Sequence, residues 1–504
     1  MKPYLLQHFL ENSAARYPDK IALQHKDRAL TYAELLQKAK NLGQSLRQKG
    51  TRRGDRVGIY LDKSLEQVIA IFGALYADAV FVVISNVLHA KQARHISNDC
   101  GVKLLITEEK YLENLDAIAA PKIYGTELNK MLETTGSPAP QNIGADIASI
   151  IYTSGSTGLP KGIVLTHRNL IEGAEIVSAY LKITADEKIL GLLPFNFDYG
   201  LNQLTTSVYK GATLVLFQYF LPNSLLKILA EEEITGLAAI PPIWTSVFGG
   251  KMADTAKLAL PKLRYITNSG GKLPVPLVQK LRAAFPQVDL YLMYGLTEAF
   301  RSTYLDPREI DRRPESIGKA IPDVEVEIVN ADGQPCRPRE IGELIHRGAC
   351  IARGYWNDPQ KTAEVYRPNP LLPPENQFLE TVVYSGDLAY KDEEGYLYFV
   401  GRRDNMIKTA GYRVSPTEVE EMILQIPEIK DAVVFGTANA ELGYKICAAV
   451  TLKTKISAEK IKEHCQTTAP PYMTPREIFI ADSFPLTASG KIDRPQVIEE
   501  YQTK

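Results

Sequence analysis

The alternation of short apolar runs with helix-like stretches is the feature that most restricts the fold of this chain. Strand-like runs RVGIYL and AVFVVIS flank an apolar helix near residues 65–77. The alternation continues to about residue 290 through ATLVLF, TGLAAI, LRYITNS and VDLYLMYG. Buried parallel strands are continuous apolar runs joined by helices, so the pattern predicts an α/β region with largely parallel sheets.

The helix predicted over residues 31–49 has the clearest local signals. Thr31 is its predicted N-cap, and Glu34 completes a capping box three residues later. Leucines then recur at helical spacing, and Gly50 follows the last turn. This segment therefore marks the start of the alternating region.

The pattern changes after about residue 325. VEVEIVNADGQP, IGELIHRG and EGYLYFVGR are short strand-like runs joined by Gly and Asp turns, which predicts a small β subdomain. Beyond GRRDNMIKTAGYR, helical and strand patterns follow one another in a compact α+β arrangement. We predict a large N-terminal domain over residues 1–403 and a small C-terminal domain over residues 404–504.

Composition excludes several classes of function. With 504 residues and a formal net charge of −1, the chain gives no support to a polyanion-binding surface, so no nucleic-acid partner is expected. The longest apolar run is broken by Asp78, and the N-terminal segment lacks an uninterrupted apolar core, so neither a membrane span nor a signal peptide is predicted.

The cysteines favour a cytoplasmic location. Five of them are scattered, none as CxxC, at Cys100, Cys336, Cys350, Cys447 and Cys465. An odd, dispersed set is typical of reduced thiols rather than of a disulfide framework or a zinc site.

A glycine-rich segment, YTSGSTGLPKG (Tyr152–Gly162), follows the apolar run ASIIYT. Glycines let backbone N–H groups approach a phosphate, hydroxyls add donors, and Lys161 adds a mobile charge. The spacing differs from GxxxxGK[ST], so a P-loop NTPase is not indicated. Composition alone leaves two interpretations open, a phosphate-binding loop and a solvated turn.

As an ordered string, this segment resembles the phosphate loop of the AMP-forming adenylating superfamily, which includes acyl-CoA synthetases, luciferases and carrier-loading adenylation domains. Four further motifs resemble that superfamily in the expected order. They are MYGLTEA (293–299), YSGDLA (384–389), GRRDNMIKTAGYRVSPTEVE (401–420) and PLTASGKIDR (485–494). The resemblance covers essentially the whole chain and implies ATP and Mg²⁺ as cofactors, with AMP as a product.

The resemblance implies a role for each motif. The residues expected to hold the β- and γ-phosphates are Thr153, Ser154, Gly155, Ser156, Thr157, Gly158 and Lys161. Thr297 would contact the α-phosphate, and Glu298, with Thr157, would bind magnesium. Asp387 would accept hydrogen bonds from the ribose with help from Arg402, and Lys491 would bridge the acid carboxylate and the α-phosphate. The residues expected around adenine are Tyr294, Gly295, Gly270 and Gly271.

The resemblance also implies a second conformation for thioester formation. Asp404 would be the hinge, and Gly411 and Tyr412 would line a tunnel for a pantetheine arm. Arg413 would contact a phosphate. No carrier domain is apparent after Lys491, so the thiol is expected from CoA or from a separate carrier protein.

An aspartate after an aromatic residue in PFNFDYG suggests an amino-acid substrate. In the superfamily, Asp198 would pair with a substrate ammonium, and a buried unpaired carboxylate requires such a cation. Arg301 could instead neutralise Asp198, and the sequence leaves both pairings open. Further candidates for the acyl wall are Tyr199, Asn202, Ala239, Asn268, Met293 and Ser302, and the bulk of Tyr199 and Met293 predicts a small pocket.

The sequence therefore predicts an ATP-dependent acid–thiol ligase. The first expectation is activation of a small amino acid such as proline as acyl-AMP, with release of pyrophosphate and transfer to the phosphopantetheine of a separate carrier protein. The alternative is an acyl-CoA ligase acting on a small non-amino acid, which the resemblance of EAFRSTYL and FDYG to exopolysaccharide-associated ligases favours.

Overall fold

The computed structural model describes residues 2–88, 90–136, 138–153, 160–219, 221–248, 260–409, 412–439, 443–469, 471–487 and 490–502. Of residues 404, 408, 412, 413 and 443 it describes the backbone alone. Across these ranges a large α/β region is followed by a smaller antiparallel β region and then by a small α+β region. The predicted fold class is therefore confirmed.

The first sheet has six strands in the described part of the chain. They are Arg56–Tyr60 (β3), Val80–Val83 (β4), Val102–Thr107 (β5), Lys122–Ile123 (β6), Ile147–Thr153 (β7) and Lys161–Thr166 (β8). The order across the sheet is β6-β5-β3-β4-β7-β8. All neighbours pair in parallel except β7 and β8, which form an antiparallel hairpin.

The second sheet has nine strands within the described ranges. They are Ile21–His25 (β1), Arg28–Thr31 (β2), Lys188–Gly191 (β9), Thr213–Leu216 (β10), Gly236–Ala239 (β11), Tyr265–Asn268 (β12), Asp289–Tyr294 (β13), Thr303–Leu305 (β14) and Lys319–Ala320 (β15). The order is β15-β14-β13-β12-β11-β9-β10-β1-β2, and the six strands from β13 to β1 are parallel. Ligands of open parallel sheets bind beyond the carboxyl ends of such strands.

Helices connect and cover these two sheets. They are Gln7–Arg16 (α1), Tyr32–Gln48 (α2), Leu65–Tyr76 (α3), Ala90–Asp99 (α4), Gly125–Glu133 (α5), His167–Tyr180 (α6), Asp198–Lys210 (α7), Pro222–Glu231 (α8), Pro241–Phe248 (α9) and Val275–Ala284 (α10). The predicted capping box of α2 is confirmed, because Thr31 Oγ1 accepts from the Glu34 N–H at 3.2 Å and the Glu34 carboxylate accepts from the Thr31 N–H at 2.8 Å.

The β-rich region forms a third, antiparallel sheet. Its elements are Val324–Val329 (β16), Gly342–Gly348 (β17), Pro359–Val365 (α11), Tyr366–Pro368 (β18), Thr381–Lys391 (β19) and Leu397–Arg402 (β20). Strand β19 lies at the centre of the sheet and pairs with β17, β18 and β20. The predicted small β subdomain is thus present.

The C-terminal region has its own sheet and its own core. Its elements are Ile407–Thr409 (β21), Tyr412–Val414 (β22), Pro416–Leu424 (α12), Ile429–Asn439 (β23), Gly443–Leu452 (β24), Ala458–Thr468 (α13), Glu477–Ala481 (β25) and Arg494–Gln502 (α14). Its buried apolar side chains form clusters separate from those of the large region. The predicted boundary at Asp404 lies in the turn Arg403–Asn405 and stays a prediction.

The described residues bear on two further expectations from the sequence, a membrane span and the state of the cysteines. Among the described residues, no helix combines the length and the apolarity that crossing a membrane requires. All five cysteines are free and buried. That they are reduced thiols of a cytoplasmic protein stays a prediction.

Candidate active site

The glycine-rich segment connects the two strands of an antiparallel hairpin. Thr153 at the end of β7 pairs with Lys161 at the start of β8, and residues 154–159 lie between them, outside the described residues. The predicted strand before the segment is confirmed. The Lys161 ammonium forms an ion pair with Asp358 (Nζ to Oδ2, 3.1 Å). The roles of Ser154, Gly155, Ser156, Thr157 and Gly158 stay predictions.

The loop after β13 presents Thr297 and Glu298 beside the β-rich region. Thr297 is buried, and Tyr355 donates a hydrogen bond from its hydroxyl to Glu298 Oε1. The Glu298 backbone carbonyl accepts from the Ala352 N–H at 2.9 Å. These contacts fix the direction of the Glu298 carboxylate. The sequence analysis did not identify Tyr355, whose partner is 57 residues away.

A buried carboxylate links the end of β13 to the β-rich sheet. Tyr294 donates from its hydroxyl to Asp387 Oδ2 at 2.5 Å, and Arg402 Nη1 lies 3.0 Å from Asp387 Oδ1. Asp387 and Arg402 are register partners on β19 and β20. Burial raises the pKa of Asp387, while the Arg402 charge and the Tyr294 hydroxyl act in the opposite direction. The structure therefore brings the two predicted ribose residues together.

The Tyr294 ring lies parallel to a buried histidine. The ring centroids of Tyr294 and His346 are 5.9 Å apart with an interplanar angle of 23°. Burial lowers the pKa of His346 to about 3, so its ring is neutral near pH 7. The predicted packing of Tyr294 against adenine is not tested by these contacts and stays a prediction.

The loop after β12 approaches the terminal lysine. Asn268 Nδ2 donates to the Gly271 carbonyl at 3.0 Å, which closes the NSGG turn. Gly270 has φ +77°, and a Cβ there would lie 3.0 Å from Lys491 Cε and 3.3 Å from its Nζ. Glycine is therefore required at this position for the backbone conformation and for the approach of the lysine.

Lys491 reaches from the C-terminal region to the large region. Its Nζ lies 4.8 Å from the centroid of the Phe197 ring. Burial lowers the pKa of Lys491, the Asp198 charge raises it, and the Arg301 charge lowers it further. A short turn holds the lysine, because the Thr487 N–H donates to the Lys491 carbonyl at 2.7 Å. Lys491 thus lies beside Gly270 and beside Phe197, the residue that precedes the predicted acyl residue Asp198.

Asp198 and Arg301 form a buried ion pair. Arg301 Nη1 donates to Asp198 Oδ2 at 3.2 Å, and the side chains are only 3% and 5% exposed, respectively. Of the two pairings that the sequence leaves open, the structure shows the one with Arg301, which supplies a positive charge from within the protein. Pairing of Asp198 with a substrate ammonium stays a prediction. Asp198 also begins α7, where a negative charge interacts favourably with the helix dipole.

The other candidate acyl residues are also buried. The guanidinium carbon of Arg301 lies 5.0 Å from the centroid of the Tyr199 ring, whose hydroxyl forms a hydrogen bond with Thr267. Met293 Sδ accepts a hydrogen bond from Tyr180 at 3.0 Å. The remaining members, all buried, are Asn202, Ala239, Asn268 and Ser302.

The residues predicted for the hinge, the thiol tunnel and a phosphate contact lie mostly outside the described part of the chain. Gly411 and the side chains of Asp404, Tyr412 and Arg413 lie outside the described residues. The backbones of Tyr412 and Arg413 belong to β22, which pairs antiparallel with β21, and the backbone of Asp404 lies in the turn before β21. The hinge, the tunnel and the phosphate contact of Arg413 stay predictions.

The donor set around Glu298 suits a magnesium ion that is shared with phosphates. Within the described ranges there is no group of three or more His, Cys, Asp or Glu side chains that could hold a metal. Mg²⁺ is commonly bound through one or two carboxylates together with substrate phosphates and water. A single fixed carboxylate such as Glu298 fits that requirement.

Comparison with known proteins gives two family matches. A model described as AMP-binding enzyme matches residues 10–356, and one described as AMP-binding enzyme C-terminal domain matches residues 418–491. Gramicidin S synthase 2 of Brevibacillus brevis is 32% identical over 99% of this chain, which spans 11% of that protein. A long-chain-fatty-acid–CoA ligase of Bacillus subtilis is 29% identical over 98% of this chain and 94% of its own length.

Solved structures resemble the whole chain. The anthranilate CoA ligase AuaEII in complex with anthranoyl-AMP has a TM-score of 0.90 and 26% identity, covering 99% of this chain and 98% of that one. The o-succinylbenzoate CoA synthetase MenE from Bacillus subtilis, in complex with its acyl-adenylate intermediate, has a TM-score of 0.84 and 27% identity, covering 97% of each chain.

Proposed function

This chain belongs to the family of AMP-binding enzymes, and on that premise we propose that it activates a small carboxylic acid with ATP and transfers the acyl group to a thiol. A carboxylate is a poor electrophile because its leaving group would be oxide. Attack of a carboxylate oxygen on the α-phosphorus forms an O–P bond and breaks the bond to pyrophosphate. The resulting acyl adenylate has AMP as its leaving group, which a thiol displaces.

The enclosed position of Lys491 carries this proposal. Its ammonium lies against Phe197 and Gly270 and in the field of the Asp198–Arg301 pair. A cation at this point can contact both the reacting carboxylate and the α-phosphate, where charge develops during the attack. Lys491 would therefore stabilise the transition state of the first step.

Residues of the β-rich region, rather than Lys491, would hold the ribose of the nucleotide. Asp387 is a buried carboxylate with Tyr294 and Arg402 as neighbours, and carboxylate oxygens accept well from paired hydroxyls. Glu298 is oriented by Tyr355. Mg²⁺ bound by the Glu298 carboxylate would neutralise phosphate charge. Thr297, the residue before Glu298, is expected to contact the α-phosphate.

The acceptor thiol is proposed to belong to a phosphopantetheine arm. CoA and carrier proteins both carry this arm, so the two alternatives share one chemistry. The 32% identity to gramicidin S synthase 2 supports a carrier protein, and the likeness to structures named as CoA ligases supports CoA. Transfer to a separate carrier protein remains the first candidate from the sequence, and CoA is the second.

The acid is proposed to be small because Tyr199 and Met293 occupy the acyl region. Resemblance to stand-alone prolyl-activating enzymes favours proline among the amino acids, and the support for an amino acid as such comes from Asp198. The ion pair with Arg301 weakens that support, because the Asp198 charge already has a partner. A non-amino acid is therefore the preferred substrate class, and an amino acid is the second.

One assay tests the proposal and separates its alternatives. The full chain is incubated with ATP, Mg²⁺ and a panel of acids that includes proline, together with CoA or a phosphopantetheinylated carrier protein, and all products are measured by mass spectrometry. AMP, pyrophosphate and one acylated thiol are expected. A Glu298→Gln variant should release less AMP with every acid. Formation of ADP instead of AMP would contradict the proposal.

A further inference from the structure

We propose that the acid carries an oxygen acceptor besides its reacting carboxyl group, and that the Nε–Nη2 edge of Arg301 binds this acceptor. The acceptor is an oxygen on a planar carbon, as in a keto group, an amide or a second carboxylate. This inference rests on the proposed function, because it names the class of acid that the same site would activate.

Arg301 uses only part of its hydrogen-bonding capacity. Nη1 donates to Asp198, whereas Nε and Nη2 are buried and have no hydrogen-bond partner among the described residues. A buried donor without a partner is costly because it has lost its hydration. An acceptor on the substrate would remove that cost.

Other arginines of this protein use the same edge to bind a carboxylate. Arg282 Nε and Nη2 each lie 3.2 Å from an oxygen of Asp311, and Arg339 uses the same two atoms on Glu393 at 2.8 and 3.1 Å. Both of these pairs lie at the surface. The Nε–Nη2 edge of Arg301 is buried instead, and a buried donor without a hydrogen bond costs more free energy than one at the surface.

Three other candidate acyl residues also carry unpaired polar atoms. Among the described residues, Asn202 Nδ2, Asn268 Oδ1 and Ser302 Oγ are buried without a hydrogen-bond partner. Asn202 lies one helical turn after Asp198 on α7, and Ser302 follows Arg301 directly. Arg301, Asn202 and Ser302 each have an unpaired donor, whereas Asn268 has an unpaired acceptor. A hydrocarbon acyl group would therefore match this set of polar atoms poorly.

The backbone holds Arg301 in one place. Phe300, the preceding residue, has φ +27°, a strained value for a residue with a side chain. Its ring packs over Gly173, where a Cβ would lie 2.4 Å from Phe300 Cδ1. The strain at Phe300 and the absence of a side chain at Gly173 therefore fix the point from which Arg301 extends.

The charges of the site favour an oxygen acceptor on the substrate over a substrate ammonium. Asp198, Arg301 and Lys491 together carry a net charge of +1 when the two basic groups are protonated. The reacting carboxylate balances this charge. A substrate ammonium would add positive charge and could not accept from the unpaired donors of Arg301, Asn202 and Ser302, whereas an oxygen acceptor pairs with such donors.

Three acids of similar length test this inference, namely pentanoate, 4-oxopentanoate and butanedioate, with L-proline added as the amino acid. AMP release gives kcat/KM for each acid with the full chain. We expect the keto acid or the dicarboxylic acid to exceed pentanoate by about 100-fold or more, because sites built to bind a polar group reject analogues that lack it. The better of the two identifies the acceptor as neutral or charged.

Two variants assign the preference to Arg301. Arg301→Lys keeps the charge beside Asp198 but removes the two-donor edge, and it should reduce the preference to within a few fold. If it does not fold, the neutral double variant Asp198→Asn/Arg301→Gln should give the same loss. Arg282→Lys is the matched control, since it alters the same edge at the surface, and it should retain the preference.

Each outcome has a defined meaning. Equal kcat/KM for pentanoate and the two oxygen-bearing acids would overturn the inference while leaving the proposed function intact. Proline as the best acid, unaffected by Arg301→Lys, would also overturn it. Absence of AMP with every acid would overturn the proposed function itself, and the inference with it.

Discussion

Lys491 is the residue whose removal should separate the two half-reactions. Its ammonium lies against Phe197 and Gly270 of the large region, so Lys491→Ala should slow acyl-adenylate formation by about 100-fold or more, as expected when a charge-stabilising donor is lost. Pyrophosphate exchange measures this step. Thiol transfer from a pre-formed adenylate should be largely retained. Equal losses in both steps would contradict the assigned role.

The protonation of Lys491 should limit the reaction at high pH. Burial lowers the pKa of Lys491, so the ammonium is lost at a lower pH than for an exposed lysine. The rate of adenylate formation should therefore fall as pH rises through that lowered pKa. Lys491→Arg, which stays charged, should be slower at neutral pH but lack this alkaline decline. An identical pH profile for both proteins would argue against the lysine as the titrating group.

Asp387 should determine affinity for the nucleotide. Asp387→Asn keeps the shape but removes the charge, and it should raise the KM for ATP by roughly 10- to 100-fold, because charge-assisted hydrogen bonds contribute about 1.5–3 kcal/mol. Initial rates at varied ATP concentration give this value. Tyr294→Phe should have a smaller effect, and the double variant should be less than additive because the two residues share a hydrogen bond. Strict additivity would argue against coupling between them.

Residues that belong to ordered motifs could be predicted from the sequence, whereas their partners could not. Lys491, Asp387 and Arg402 were identified in this way, and the structure brings each beside other predicted residues. Tyr355, which orients Glu298, has no local signal because its contact forms only in the folded chain. The choice between a substrate ammonium and Arg301 as the partner of Asp198 likewise required a contact across 103 residues.

At the scale of elements, local patterns predicted the strands and helices but not their neighbours. Hydrophobic periodicity and helix capping depend on residues close together in the sequence, so they can be recognised locally. They predicted the capping box of α2 and the strands β3, β4 and β10 to β13. The order of the second sheet, where β10 lies between β9 and β1, depends on long crossovers. Local sequence patterns do not indicate which strands become neighbours after such a crossover, so the strand order could not be predicted.

Two buried histidines on separate elements should make the fold sensitive to acid. Burial lowers the pKa of His346 on β17 to about 3 and of His167 on α6 to about 4, from an ordinary 6.5. Because the folded state resists protonation, stability should fall as pH drops below 6.5. At pH 5 the expected loss is about 2 kcal/mol for each histidine. Denaturant unfolding at several pH values measures this loss.

His346→Phe provides the comparison for that measurement. Both His346 nitrogens lack hydrogen-bond partners among the described residues, so a phenyl ring can replace the imidazole without leaving a polar group unpaired there. The variant should lose less stability between pH 7 and pH 5 than the wild-type protein. The same pH dependence in both would show that His346 does not contribute.

At the scale of the whole molecule, side-chain contacts join the C-terminal region to the large region. Lys491 of the C-terminal region contacts the large region, and Lys272, directly after the NSGG loop, forms an ion pair with Glu421 of α12 at 2.7 Å. Rotation about the predicted hinge at Asp404 would move the C-terminal region and separate both contacts. The Lys272–Glu421 pair therefore favours one of the two expected conformations.

Breaking this pair should shift the balance between the half-reactions. A partly exposed ion pair contributes about 1 kcal/mol, so Lys272→Ala or Glu421→Ala should slow adenylate formation up to about fivefold, while transfer from a pre-formed adenylate is unchanged or faster. Single-turnover rates of each step give the ratio. Glu393→Ala is the matched control, because it breaks the exposed Arg339–Glu393 pair within the β-rich region, and it should leave the ratio unchanged. A double variant no slower than either single variant is expected, since both remove the same contact, whereas equal slowing of both steps would indicate general destabilisation and contradict a conformational role.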